Sequence, residues 1–393
     1  MKVLLVSASV FGQGGVEKVF CEMANAFAER GHYVSTVIWA PKEGKPFYEL
    51  SDKVKQHVPG RGYSESFSMY HRIRRLLVFD KVKRHAFDEY AHDDPKLAKI
   101  LKPIIEEESP DVIIAFHPKV TRTLICQLQC SFPIVTMFHG APEVMLPEMS
   151  ENTKAALAKS ACVQVLMPSF ADTCKRNLQL KRVEVIPNIV PSFSILADSA
   201  YSQHRIISMG RVSRQKQQVL LLEALGYLGD RWKQSGWQLD IYGDQQGEHF
   251  YYKQCIDLLK KFNLQKTVFF HEPTHEVEKV LRSASIYTQP SAFEGFGISM
   301  CEAMSVGLPV VAYRSCPALN ELVVHDVNGL LCDDGAEALG EALLKLMNDQ
   351  DLRQRLGYKA HEDMQAYKAD IIWDKWEKLL ESVKCEESLR YDE

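Results

Sequence analysis

The sequence predicts two doubly wound α/β domains in tandem, and three observations predict it. Short apolar runs alternate with amphipathic helical patterns through residues 2–186, the signature of βαβ units in a parallel sheet covered on both faces. The pattern breaks at Pro187-Asn188-Ile189-Val190-Pro191-Ser192-Phe193-Ser194, which is rich in proline and serine, and restarts at residue 205. The length, 393 residues, suits two or three ordinary domains with sizeable cores.

In the first half, strands are expected at 2–7, 33–39, 112–116, 134–138, 163–168 and 182–186. A helix is expected over 16–30, where Val19, Phe20, Met23, Ala24 and Phe27 share one face. The second half repeats the pattern with strands at 205–209, 238–242, 268–270, 286–289, 310–313 and 329–332. The stretch from Pro187 to about residue 203 reads as the linker, so the domains are 1–192 and 193–370, facing across a cleft. Residues 371–393 carry a last helix with Ile372, Trp373, Trp376, Leu379 and Leu380. Its two tryptophans suit packing on its own domain or crossing back to the first. Ligands of such folds bind outside the carboxyl ends of the strands.

Bulk composition narrows the function. A net charge of −4 argues against a general nucleic-acid binder. Ten cysteines without a C-x-x-C pair do not suit a structural zinc site; they read as small buried hydrophobes in a reducing compartment. The opening Met1-Lys2-Val3-Leu4-Leu5-Val6-Ser7-Ala8 leads straight into a glycine loop and a helix, so it reads as a strand and not as a signal peptide. No stretch reaches the apolar length of a bilayer span. The expected location is cytoplasmic.

Three loops follow expected strands. Gly12-Gln13-Gly14-Gly15-Val16-Glu17 lacks both G-x-G-x-x-G and G-K-[ST]. It is either a tight strand-to-helix turn or a place where backbone approaches a sugar or phosphate. Gly210-Arg211-Val212-Ser213-Arg214-Gln215-Lys216 carries cations where an α/β sheet presents ligand groups. Arg211 and Lys216 there could bind a diphosphate and stabilise it as it leaves, or the loop could simply be solvated, as Arg214 is expected to be. The third loop is in Pro-Ser-Ala-Phe-Glu-Gly-Phe-Gly-Ile-Ser-Met-Cys-Glu, residues 290–302. Its Gly295-Phe296-Gly297 turn feeds a helix N-terminus, an anion site. Glu294 precedes that helix, and Glu302 lies about five residues inside it, roughly 7 to 8 Å along the axis. The two acids therefore address different ends of a ligand. His139 and His117 each end a first-domain strand, and each suits either the cleft or a structural hydrogen bond.

Glu294-x7-Glu302 within P-S-x-x-E-G-F-G, G-R-x-x-x-x-K at 210–216 and Gly14-Gly15-Val16-Glu17 together resemble the retaining GT-B glycosyltransferases of the family-four type. Asp240-Ile241-Tyr242-Gly243-Asp244, Val185-Ile186-Pro187-Asn188 and Asn328-Gly329-Leu330-Leu331 extend the resemblance over nearly the whole chain. It implies two Rossmann-like domains, an acceptor-binding first domain and a C-terminal helix, 371–393, that crosses back to that domain. It implies a donor site of Gly14, Gly15, Gly210, Gly243, Glu272, Gly295, Phe296, Gly297, Ile298 and Glu302, with Arg211, Lys216, Glu294 and His139 carrying the chemistry. Arg211 and Lys216 would hold the donor diphosphate, Glu294 the sugar hydroxyls and Glu302 the ribose. His139 would approach the sugar, and His271-Glu272-Pro273-Thr274 the base.

The resemblance also implies that no divalent metal and no cofactor is needed. Retention would follow front-face attack, with the leaving phosphate taking the acceptor proton. The chain departs from the family at Ile189, Gln217 and Glu272, where glycine is usual. The expected reaction moves a hexose or N-acetylhexosamine from a nucleotide sugar, UDP before GDP, to a glycan or lipid-linked acceptor in surface-polysaccharide or lipopolysaccharide synthesis. A sugar-nucleotide epimerase and a non-catalytic sugar-nucleotide binder are the alternatives. Residues 69–84 mix basic and large apolar side chains and suit either a surface helix or peripheral contact with an anionic membrane.

Overall fold

A computed structural model describes residues 1–40, 46–59, 94–195 and 201–391. The segment 69–84 lies outside the described residues. The chain forms two compact units, Met1–Asn188 with Ile372–Glu393, and Ile189–Ile371.

The first unit holds a seven-stranded sheet of β1 (Lys2–Ser7), β2 (Tyr33–Ile38), β3 (Lys55–His57), β4 (Val112–Ala115), β5 (Ile134–Met137), β6 (Cys162–Val165) and β7 (Val183–Val185). Its order is β3-β2-β1-β4-β5-β6-β7, and each pairing is parallel. Chain order reverses between β1 and β4, so the loops leaving those two strands diverge and open the crevice typical of such sheets. Helix α1 (Gly15–Glu29) buries Val19, Phe20, Met23, Ala24 and Phe27, the face its periodicity predicts. Helix α2 (Pro95–Glu108) starts with proline at its first turn, and the Asp94 carboxylate caps the Leu97 amide at 3.1 Å.

The second unit repeats the plan with β8 (Arg205–Met209), β9 (Gln238–Tyr242), β10 (Val268–His271), β11 (Ile286–Gln289), β12 (Val310–Tyr313) and β13 (Gly329–Cys332). The order is β10-β9-β8-β11-β12-β13, again parallel throughout. The reversal falls between β8 and β11. Gly210–Lys216 leaves β8 and Pro290–Gly297 leaves β11, so the two motif loops flank the switch point of this sheet.

The structure corrects several expectations. β6 ends at Val165 and Pro168 opens a helix, because a fixed φ and a missing amide hydrogen suit a first helical position and not a central strand. The unit boundary falls at Asn188–Ile189 and not after 192. Val190 donates its amide to Tyr367 O at 2.9 Å, and Ser305 bonds both Pro191 and Phe193, so the supposed linker is already docked on the second unit. Cys126 and Cys385 are exposed, one in a single helical turn and one on a terminal helix, while Cys301, Cys316 and Cys332 are buried as expected.

The terminal helix α3 (Ala369–Tyr391) belongs to the first unit from Ile372 onward. Trp376 and Leu380 are fully buried, and Trp373 packs edge-on to Phe27 of α1 with ring centroids 5.9 Å apart. Arg30 reaches Asp374 at 2.8 Å and Glu377 at 2.7 Å, His32 meets Glu377 at 3.0 Å, and Lys384 pairs with Asp111 at 3.0 Å. Among the described residues, no helix is long and apolar enough to cross a membrane.

Candidate active site

The loop after β8 is shaped by close backbone approach. Gly210 has φ 148°, and a Cβ there would lie 3.0 Å from Lys216 Cε. Gly243, directly after β9, has φ 150°, and a Cβ there would stand 2.1 Å from Gly210 O. Only glycine lets these two loops lie backbone to backbone. They are then tied by the Val212 amide donating to Asp244 O at 2.8 Å. Gln218 clamps the first loop from below, accepting from the Ser213 amide at 3.1 Å and donating to Arg211 O at 2.9 Å. Arg211 stays exposed. Gln217 sits at φ 52°, the left-handed region, where a non-glycine residue costs about 1 kcal/mol. The departure from glycine at 217 therefore costs strain and leaves the turn intact.

The loop after β11 is stitched to the loop after β8. Ala292 donates its amide to Gln215 O at 2.8 Å, and Gln215 Nε2 donates to Phe293 O at 2.9 Å. Between these contacts Lys216 Nζ donates to Glu294 Oε1 at 2.6 Å. Glu294 is 6% exposed, so the pair is largely withdrawn from water. Gly297, at φ 81°, ends the turn, and a Cβ there would lie 2.5 Å from Leu319 Cδ2. Gly297 is the N-cap of the helix Ile298–Val306 and offers no side-chain cap, so the first amides of that helix point out as anion donors. Phe296 is buried edge-on to Tyr367, which holds the turn down. Glu302 is buried inside the same helix.

Lys216, Glu294, Gly297 and the amide of Ile298 thus gather at the switch point, with Gly210, Gly243 and Arg211 beside them. Glu272 is exposed, immediately after β10. Next to it is a cluster that the sequence reading missed. His271 Nε2 bonds Asp240 Oδ1, Asp240 Oδ2 accepts from Arg205 Nε at 2.6 Å, and the Tyr242 ring stacks on His271 at 4.4 Å. Strict alternation along 238–242 puts Asp240 and Tyr242 on one face of β9, which was the available signal.

Gly14, Gly15 and His139 lie in the first unit. The space that Gly12 and Gly14 leave open is filled by the Glu17 carboxylate, whose charge suits the first turn of α1. His117 caps the following short helix, its Nδ1 accepting from the Lys119 amide at 3.2 Å, so its role here is structural. His139 follows β5, its ring stacked on Phe116 with centroids 5.1 Å apart. Its Nε2 is buried without a hydrogen-bond partner. Burial, and secondarily the nearby His117, push its pKa down to about 3, so the ring is neutral. A neutral imidazole supplies a hydrogen-bonding nitrogen but no charge.

Among the described residues, His57, Glu107 and Glu108 form a group with metal-ligand spacing, their candidate ligand atoms all within 4.8 Å of one another. The Lys55 ammonium already meets both glutamates, at 2.8 and 2.6 Å, so the group reads as an ion network. Asp333 and Asp334 are exposed; Ser315 bonds Asp334, and Arg314 pairs with Asp333.

Residues 199–363 match the family model "Glycosyl transferases group 1", and residues 13–192 match "Glycosyltransferase Family 4". The chain is 23% identical to the lipopolysaccharide core biosynthesis glycosyltransferase LpsE of Rhizobium meliloti, over 95% of this chain and 97% of that protein. It is also 23% identical to a Campylobacter jejuni alpha-1,4-N-acetyl-D-galactosaminyltransferase, whose named acceptor is an undecaprenol-diphosphate-linked glycan, over 98% and 99% of the two chains. Among solved structures, Anabaena HepE in complex with UDP and glucose superposes with a TM-score of 0.73 at 18% identity, covering 97% of this chain and 100% of that one.

Proposed function

The chain belongs to the group 1 glycosyltransferases of the GT-B fold and is a hexosyltransferase of polysaccharide or lipopolysaccharide-type synthesis, and on that premise we propose its donor, mechanism and site. The donor is a UDP-hexose or UDP-N-acetylhexosamine, and the acceptor is a glycan or lipid-linked glycan at the cytoplasmic face of the membrane. The supporting relatives are the Campylobacter enzyme, with its lipid-linked acceptor, and HepE, with its UDP and glucose.

The observation that carries the reading is the Lys216–Glu294 pair, which joins the cationic loop to the acid-glycine loop at the switch point of the second sheet. In this reading the donor diphosphate enters beside Lys216 and Arg211, and the first amides of the helix Ile298–Val306 complete its cradle. These groups neutralise charge as the sugar–phosphate bond breaks, which is why no divalent metal is required. Glu294 fixes the sugar hydroxyls, Glu302 the ribose, and the 271–274 segment the base. The acceptor attacks the face from which the diphosphate leaves, and a departing phosphate oxygen takes the hydroxyl proton, so the anomeric configuration is retained.

The test is a panel of UDP- and GDP-sugars, read by thermal shift and by nucleotide release, with and without EDTA. The expected result is stabilisation and slow hydrolysis with a UDP-sugar, insensitive to EDTA, releasing a product of unchanged anomeric configuration by NMR. Silence toward every UDP- and GDP-sugar overturns the donor assignment. Abolition by EDTA removes the metal-free mechanism, and an inverted product removes retention.

A further inference from the structure

Glu294 carries two charge-assisted hydrogen bonds, and both fall on the same oxygen. Lys216 Nζ donates to Oε1 at 2.6 Å, and Gln289 Nε2 donates to that same Oε1 at 2.8 Å. Gln289 is the last residue of β11 and is 2% exposed. A carboxylate only accepts, so the amide nitrogen of Gln289 must face Glu294 and its oxygen must face away. On that far side Gln289 Oε1 meets Tyr287 OH at 2.9 Å and Ser299 Oγ at 3.1 Å. Both hydroxyls also reach Met209 O, at 3.3 and 3.2 Å, and they meet each other at 2.9 Å. Tyr287 is fully buried.

This bracket spans three pieces of the site. Met209 is the last residue of β8, directly before the Gly210–Lys216 loop. Gln289 is the last residue of β11, directly before the loop that carries Glu294. Ser299 lies in the first turn of the helix whose N-terminus faces the anion. We infer that Gln289 is the positioning residue that aims Glu294 at the donor sugar. The Tyr287–Ser299 hydroxyl pair holds the amide in one orientation, and the amide holds Oε1, leaving Oε2 for a sugar hydroxyl. Satisfied buried networks of this kind fix one geometry and lose it when a single member is removed. The inference rests on the proposed binding of a nucleotide sugar at this site and deepens it by naming what orients the sugar-facing acid.

The experiment compares the native enzyme, Gln289→Leu and Tyr287→Phe. Two quantities are read: kcat and KM for the best of UDP-glucose, UDP-galactose, UDP-N-acetylglucosamine, UDP-N-acetylgalactosamine and GDP-mannose, and Kd for the free nucleoside diphosphate. Gln289→Leu keeps the volume but removes the donor, and is expected to lower kcat/KM for the nucleotide sugar about ten- to hundredfold. The nucleoside diphosphate contacts neither Gln289 nor the oxygen it aims, so its Kd is expected to stay within about twofold of native, the scale of a few tenths of a kcal/mol. Tyr287→Phe removes only the hydroxyl that sets the amide, and a smaller fall of about three- to tenfold in the same parameter is expected, again without loss of nucleotide affinity. If Gln289→Leu does not fold, Tyr287→Phe carries the test alone. Undiminished sugar transfer in the variants overturns the inference, as does a parallel loss of nucleotide affinity, which marks general damage. A native enzyme silent toward every donor overturns instead the reading on which the inference rests.

Discussion

Lys216→Met should destabilise the second unit because it strips the partner from a carboxylate withdrawn from water. The two charges are 2.6 Å apart, and at an effective dielectric of about 20 their gross attraction is about 6 kcal/mol. Desolvation of the ammonium offsets much of that, but deleting it leaves Glu294 buried with its charge. Losses of about 3–5 kcal/mol follow when one member of a buried pair is removed. The lower end applies here, because the Lys216 side chain is 16% exposed and Gln289 still donates to Glu294. A loss of about 3 kcal/mol corresponds to a Tm fall of roughly 6–12 °C for a unit of this size. The double variant Lys216→Met with Glu294→Gln removes both charges and leaves the Gln289 hydrogen bond possible. It should recover at least half of the lost stability while glycosyl transfer stays down by about two orders of magnitude or more. Thermal unfolding of the native chain, both single variants and the double gives the coupling directly, and nucleotide release gives activity on the same samples. A double variant no more stable than Lys216→Met would refute the claim that an uncompensated buried charge causes the loss.

Two further outcomes are expected. The folded pKa of His139 is about 3 against an ordinary 6.5, so below pH 6.5 the unfolded chain takes a proton that the folded chain refuses, and native stability falls as pH drops through that window. His139→Gln should flatten this limb of a stability–pH curve between pH 6.5 and 3, and an unchanged slope would remove the assignment. On the terminal helix, Trp373→Ala should cost about 3–5 kcal/mol in urea unfolding, since the ring is 6% exposed and packed on Phe27. Arg30→Ala should cost about 1 kcal/mol or less, because Asp374 is 60% exposed. Equal costs for the two would mean that charge and not packing holds the helix.

Much of the fold is legible because its signals are local. β8, β9, β11, β12 and β13 fall where short runs rich in apolar residues place them, and α1 buries the face that its period of 3.6 marks out. β3 is not legible: Lys-Gln-His is polar, only three residues long and on a sheet edge, so only pairing with β2 makes it a strand. Site residues divide the same way. Arg211, Lys216, Glu294 and Gly297 stand in motifs whose loop chemistry can be read directly. The bracket on Glu294 is invisible in sequence because Gln289 and Tyr287 look like strand residues, and their partners Met209 and Ser299 come from elements about 80 positions upstream and about ten downstream. Arg205, Asp240 and His271 likewise sit on three separate strands, and only the parallel register of β8, β9 and β10 brings them together.

The return of α3 to the first unit has a consequence for synthesis. Residues 372–391 supply the buried ring of Trp373, which packs on Phe27 of α1, so Phe27 lacks that partner until α3 has left the ribosome. Domains ordinarily fold in the order in which they are made. Here the unit translated first is finished last, after the whole of Ile189–Ile371 has emerged and is free to fold. A nascent chain arrested before residue 369 would carry a second unit free to fold and a first unit with part of α1 uncovered, a natural target for chaperones and proteases.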